Sequence, residues 1–179
     1  MRALLDYSID TIMLGPIPIH VWGLFVALGF IVATWLAMRW SEDAHVRRED
    51  VLDFAVWALV ASFIGARLGH VLLYDFSAYI EHPFDILKVW EGGLSSFGGF
   101  IGALVAGLVF IRRRRISFLA FSDLLLRAVP FGMAIGRIGC HLTREHPGIP
   151  CAGTFCIPFP DGVRRLDLGL LEIPLTLAI

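Results

Sequence analysis

Four apolar runs, each long enough to cross the hydrocarbon of a bilayer, set what this chain can fold into: Ile17–Met38, Val51–Tyr74, Leu94–Ile111 and Phe118–Ile138. A helix of about 20 predominantly apolar residues spans a bilayer core. Composition agrees, at 57% hydrophobic and 17% charged residues and a mean hydropathy of +0.74, where soluble domains are roughly a quarter charged. The sequence therefore predicts an all-α fold, a polytopic integral membrane helical bundle. A fifth run starts near Leu168 and is still apolar at Ile179, too short to cross. No linker or shift in composition divides the chain, which reads as a single transmembrane domain over 1–179, truncated inside its last helix.

Positive charge in the loops sets the expected orientation. Arg39, Arg47 and Arg48 follow the first run, and Arg112, Arg113, Arg114 and Arg115 follow the third. The loop between the second and third runs holds only Lys88, and the N-terminal tail only Arg2. Arg144, Arg164 and Arg165 after the fourth run oppose this weakly, but four consecutive arginines at a helix end outweigh them. The N-terminus is thus expected outside. Met1–Gly15 has no compact apolar core followed by a small-residue cleavage site, so the first run reads as a permanent helix and not as a cleaved leader. A net charge of −1 gives no basic balance that would suggest nucleic acid.

In that orientation the charges that most need explaining collect at the outer face. Arg67 lies roughly 10 Å inside the outer end of the second run at 1.5 Å per residue. Glu91 lies just outside the third run, and Arg137 at the outer end of the fourth, with His141 and Glu145 following. A charged side chain at a helix centre costs about 2.5–3.5 kcal/mol on insertion scales. Snorkelling to the interface explains any one arginine, but the set, flanked by glycines, points to an anion at the bilayer surface, namely a phospholipid headgroup. Gly98-Gly102-Ala106 and Gly99-Ala103-Gly107 form small-residue stripes that admit a close neighbouring helix. The segment Glu91-Gly92-Gly93-Leu94-Ser95 is too glycine-rich for a plain helix start, and exposed backbone N–H groups there would suit a phosphate. Pro130, Gly132 and Gly136 interrupt the fourth run, and a proline removes a helical hydrogen bond.

Cys140, Cys151 and Cys156 all fall in the expected outer loop, where Cys151–Cys156 is the natural disulfide and Cys140 is left over. A metal site built from these cysteines with His141 and His146 is the alternative, but no ligand spacing supports it.

These stretches resemble the prolipoprotein diacylglyceryl transferase family. Ile19-His-Val-Trp-Gly-Leu24 looks like its first-helix motif, and Gly65-Ala-Arg67-Leu-Gly69 with Tyr74 like its second. Lys88-Val-Trp-Glu91-Gly-Gly-Leu-Ser95 with Gly98-Gly99 is similar to its glycine-rich segment, and Pro130 through Gly136-Arg137-Ile-Gly139 with Glu145 to its signature. The chain also departs from the family. Phe97 stands where the family has a histidine, Cys140 where it has asparagine, and Trp22 where it has tyrosine. A later arginine of the family would fall beyond Ile179.

The resemblance implies an enzyme of a bacterial plasma (inner) membrane, multi-pass with an extracytoplasmic N-terminus. It would move a diacylglyceryl group from phosphatidylglycerol to the cysteine thiol in the signal-peptide region of a prolipoprotein. Arg137 and Glu145 would be catalytic. Arg137, Arg67, Glu91, Gly92, Gly93, Ser95, Gly98, Gly99 and Tyr74 would bind substrate. No cofactor or metal is implied, because the phosphodiester itself activates the carbon, and His141 is the poorer stand-in for the missing histidine. Two other classes remain: a non-catalytic phospholipid-binding paralogue, favoured by Phe97, and a small transporter, disfavoured because the charges sit at one face and not at the midplane.

Overall fold

The structure is a computed structural model that describes residues 10–14, 17–89, 92–144 and 146–178. Four of its helices are long and apolar enough to cross a membrane: α1 (Val21–Trp40), α2 (Arg48–Leu73), α4 (Ser96–Arg114) and α5 (Phe118–Thr143). Between them lie a short α3 (Phe76–Glu81) and a 3-10 turn at Pro83–Leu87, and α6 (Leu168–Leu177) is a shorter apolar helix. Large apolar side chains such as Ile31, Val56, Phe100, Leu104 and Leu126 stand exposed along the long helices, as hydrocarbon-facing surfaces must. The expected helical membrane architecture is present.

The first run begins differently from the expectation. Ile17–His20 is a strand, β2, paired antiparallel with β1 (Thr11–Leu14) in the register Thr11↔His20 to Leu14↔Ile17. Pro18 disfavours the helical region for Ile17, and an apolar partner strand lies just upstream. Helix α1 therefore starts at Val21, whose N–H donates to the Asp10 carbonyl. At the other ends helices run past the apolar stretches. Arg112, Arg113 and Arg114 form the last turn of α4, where cations meet the negative end of the helix dipole, and Arg115 closes it at φ 56°. Pro130 is carried inside α5, which continues to Thr143.

The chain divides into two compact units, Met38–Asp123 and the pair Met1–Ala37 with Leu124–Ile179. In the first unit α2 and α4 touch backbone to backbone. Gly65, Gly69 and Ala61 of α2 meet Gly98 and Gly102 of α4. A β-carbon at Gly69 would stand 2.7 Å from the Gly98 Cα, and one at Gly65 2.9 Å from the Gly102 Cα. The Gly98-Gly102-Ala106 stripe thus meets a matching stripe on α2. Toward the other end of the pair, Phe54 packs edge to face on both Phe110 and Phe121, with Phe54 and Phe121 ring centroids 4.9 Å apart, and the buried Asp50 is held by Arg47 and Arg114.

In the second unit α1 and α5 cross at Gly29 and Gly132, and Gly139 lies against Phe25. After α5 comes a three-stranded antiparallel sheet, ordered β3 (Pro147–Pro150), β5 (Arg164–Asp167), β4 (Cys156–Pro158). Cys151 and Cys156 form the expected disulfide at a Cα–Cα distance of 5.9 Å, and Cys140 is buried and unpaired. Strand β5 runs directly into α6, with Asp167 as the N-cap.

Candidate functional site

Two arginine-centred sites emerge, one in each unit. In the Met38–Asp123 unit, Arg67 is only 6% exposed and reaches from α2 into the connection that leads to α4. Each N–H of its guanidinium meets a backbone carbonyl. Nε donates to Ile86 at 2.8 Å, and Nη1 donates to Gly92 at 2.6 Å and Gly93 at 3.0 Å. Nη2 donates to Asp85 at 2.6 Å and Lys88 at 3.2 Å. These carbonyls converge because the 3-10 turn at Pro83–Leu87 curls the chain inward and because Gly92 and Gly93 take φ of +88° and +73°, a region costly for residues with a β-carbon. Tyr79 lies with its ring centroid 5.3 Å from the Arg67 Cζ.

Beside this clamp opens a cavity of about 290 Å³ lined by Arg67, His70, Asp75, Tyr79, His82 and Gly93, among others. His70 Nε2 is 3.1 Å from Asp75 Oδ2, and the exposed Tyr74 stacks on the His70 ring at 5.6 Å. Asp85 carries an added constraint. A hydrogen bond from the Lys88 ammonium, with smaller help from the His82 and Arg67 charges, holds its carboxyl below the usual carboxylate range.

The second site lies where α5 ends and α6 begins. Arg137 Nε is 2.6 Å from Glu172 Oε2, and the two side chains are 29% and 36% exposed. One turn further along α5, His141 Nδ1 is hydrogen-bonded to Asp167 Oδ2, and the Asp167 side chain is only 4% exposed. The other oxygen of Asp167 accepts from the Leu170 N–H at 3.1 Å and so caps α6. Gly169 lets α6 lie this close: a β-carbon there would stand 2.9 Å from the His141 backbone nitrogen and 3.2 Å from the Arg137 backbone oxygen.

Of the residues expected to bind substrate, the structure gathers Arg67, Gly92 and Gly93 at the clamp and puts Tyr74 beside it on His70. Ser95 and Gly98 have structural partners. The Ser95 N–H donates to the Ala66 carbonyl, its hydroxyl accepts from the Gly98 N–H at 3.2 Å, and Gly98 lies against the α2 backbone. A β-carbon at Gly99 would make only ordinary contact with Ser62 and Ala66. Arg137 sits at the α5–α6 site. Glu91 and Glu145 lie outside the described residues.

Sequence reasoning passed over Asp167, Glu172, His70 and Asp75. An aspartate just before an apolar run is a helix-start signal, so Asp167 was legible as a cap, though not as a histidine partner. Among the described residues no group of three or more His, Cys, Asp or Glu would hold a metal ion, and the Cys151 and Cys156 sulfurs are committed to each other.

The architecture defines a multi-pass helical membrane protein that holds arginines at the ends of its helices. Its sequence matches the family profile described as Prolipoprotein diacylglyceryl transferase over residues 10–173. The chain belongs to the prolipoprotein diacylglyceryl transferase family.

Relatives named "Phosphatidylglycerol--prolipoprotein diacylglyceryl transferase" come from several bacteria. One from Neisseria gonorrhoeae is 41% identical over 75% of this chain and 48% of its own length. One from Ectopseudomonas mendocina is 39% identical over 87% of this chain and 59% of its own. One from Salmonella paratyphi B is 32% identical over 93% and 58%. The chain thus spans about half the length of the curated relatives it matches.

Proposed function

We propose that this chain takes part in diacylglyceryl transfer from phosphatidylglycerol to the cysteine thiol in the signal-peptide region of a prolipoprotein. The observation that carries the reading is the family match across residues 10–173, which includes both arginine sites. In the reaction the acceptor sulfur attacks the glycerol carbon that bears the phosphate. A C–S bond forms, the C–O bond to the phosphate breaks with its electron pair on oxygen, and glycerol phosphate departs.

Arg137 is the residue best suited to grip the phosphodiester. Its present partner is one carboxylate in a part-exposed pair, which an anionic headgroup can replace with a similar or better two-oxygen contact. Negative charge grows on the departing phosphate, and a preorganised guanidinium stabilises it. Arg67 contributes by holding the carbonyls of Asp85, Ile86, Lys88, Gly92 and Gly93 in place, which fixes the backbone at those residues. Glu145 is assigned to orient Arg137 or accept a proton, and Tyr74, Ser95, Gly98 and Gly99 to shape the lipid's surroundings.

The loop arginines and the Cys151–Cys156 disulfide support an inner-membrane orientation with the N-terminus and the disulfide-bearing loop outside, since disulfides persist in oxidising compartments.

The test is transfer in phosphatidylglycerol vesicles, using the full chain and a signal-peptide substrate that contains the cysteine. The substrate should gain the mass of a diacylglyceryl group with the native chain, and about 100-fold more slowly with Arg137→Ala. A second reading, a phospholipid-binding paralogue without chemistry, is favoured by the exposed, chemically inert Phe97 at the start of α4. It would show as vesicle binding that depends on Arg137 with no change in the peptide's mass.

A further inference from the structure

We infer that His141, held by Asp167, is the group that takes the proton from the acceptor thiol, with Asp167 as its positioning residue. The inference deepens the transferase reading and rests on it. The thiolate is the nucleophile, so an acceptor cysteine needs a proton acceptor beside the phosphate grip. Phe97 offers none.

The geometry supplies one at the α5–α6 site. His141 Nδ1 is bonded to Asp167 Oδ2, so the imidazole is held in one orientation, and no described residue bonds its Nε2. The ring is 26% exposed while its carboxylate partner is 4% exposed. The carboxylate anchor is therefore buried, while the imidazole is partly exposed.

Asp167 cannot swing away, because its second oxygen is engaged by the Leu170 N–H. Four residues separate Arg137 from His141 on α5, so both lie on one helix face, roughly 6 Å apart along the axis. Both face the first turns of α6, where Asp167 and Glu172 meet them, and Gly169 lets the α6 backbone lie against α5 beside them. The phosphate on Arg137 and the sulfur near His141 would then stand on opposite sides of the reacting carbon. The thiol proton passes to His141 Nε2 as the C–S bond forms, and the C–O pair leaves with the phosphate. The buried Asp167 carboxylate balances the imidazolium until that proton passes to water.

His141→Asn separates this role from a merely structural one. The asparagine amide occupies the Nδ1 position and keeps the Asp167 bond, but it has no counterpart to Nε2. With a cysteine substrate in phosphatidylglycerol vesicles, the variant should transfer at least about 100-fold more slowly than the native chain. With selenocysteine in place of the substrate cysteine, whose selenol is already ionised at neutral pH, it should recover to within about tenfold of native. Arg137→Ala should not recover with selenocysteine.

A His141→Asn rate within about threefold of native overturns the proposal, as does an equal loss with both nucleophiles. Should the native chain transfer nothing, the transferase reading falls and a second measurement decides the base. Alkylation of the cysteine substrate by iodoacetamide should be accelerated by the native chain and not by His141→Asn. Equal alkylation rates with both would sink it.

Discussion

The two arginine sites differ in what surrounds the guanidinium. Arg67 is buried and meets five neutral carbonyls from one connection. Arg137 is partly exposed and meets one carboxylate from another helix. The first arrangement uses every donor, so a ligand could reach that arginine only by dismantling the loop. The second is a half-exposed ion pair, a type worth about 0–1 kcal/mol, and is readily exchanged for another anion. An arginine in a greasy sequence can therefore be a backbone organiser or an anion receptor, and its acceptors tell which.

The largest expected effect tests the organiser. Arg67→Ala strands carbonyls that now have a charged donor, and each buried group left unsatisfied costs about 1–3 kcal/mol. Thermal unfolding in detergent should show a loss of several kcal/mol. Arg67→Lys should rescue little, because an ammonium has three donors and no planar fork. Stability near native in either variant would erase the contrast between the sites.

Next comes the receptor. Arg137→Ala should leave unfolding within about 1 kcal/mol of native while transfer falls about 100-fold. Glu172→Gln, which removes the resident carboxylate, should tighten binding to phosphatidylglycerol vesicles. A weaker binding isotherm for Glu172→Gln would mean that the glutamate positions the arginine instead of competing for it.

A smaller effect is expected at Gly93, whose φ is +73° and where a β-carbon would stand 2.7 Å from the His70 ring and 2.9 Å from Arg67 Nη1. Gly93→Ala should cost about 1–3 kcal/mol, read by the same unfolding assay, and should leave vesicle binding through Arg137 intact.

The smallest effect concerns acid. The Lys88 hydrogen bond depresses the Asp85 carboxyl. A carboxyl lowered in the folded state adds stability above its unfolded pKa, about 3.9, and that contribution disappears as pH falls through the lower folded value. Unfolding temperature should therefore drop slightly more steeply below about pH 4 in the native chain than in Asp85→Asn. Because Asp85 is exposed to solvent, identical slopes in high salt are expected.

Much of the helical framework was readable in advance. Apolar runs of spanning length have few alternatives, and α2, α4 and α5 extend past their runs chiefly because charged residues fit helix ends well, as Arg112 to Arg114 do in α4. The small strands were not readable. Pro147-Gly-Ile-Pro150 and Cys156-Ile-Pro158 carry the residue least expected in a ladder, and they pair only because β5 lies between them.

Arg137 stood out because a charge inside an apolar run needs a reason. The clamp around Arg67 did not, since its acceptors are backbone carbonyls and carry no mark in the sequence. His141 read only as the poorer stand-in for the missing histidine, because nothing near it in sequence marks a partner. Its actual partner, Asp167, is distant in sequence and reaches it through the sheet and the start of α6.

The seam between α2 and α4 has a consequence for how such a chain can vary. At Gly65, Gly98 and Gly102 the obstacle to a larger residue is main-chain atoms of the opposite helix. A clash with a side chain can be relieved by shrinking that neighbour, but no codon shrinks a carbonyl. These positions therefore have no partner with which to trade, and lineages that keep the two helices paired should keep all three glycines independently of whatever else drifts around them.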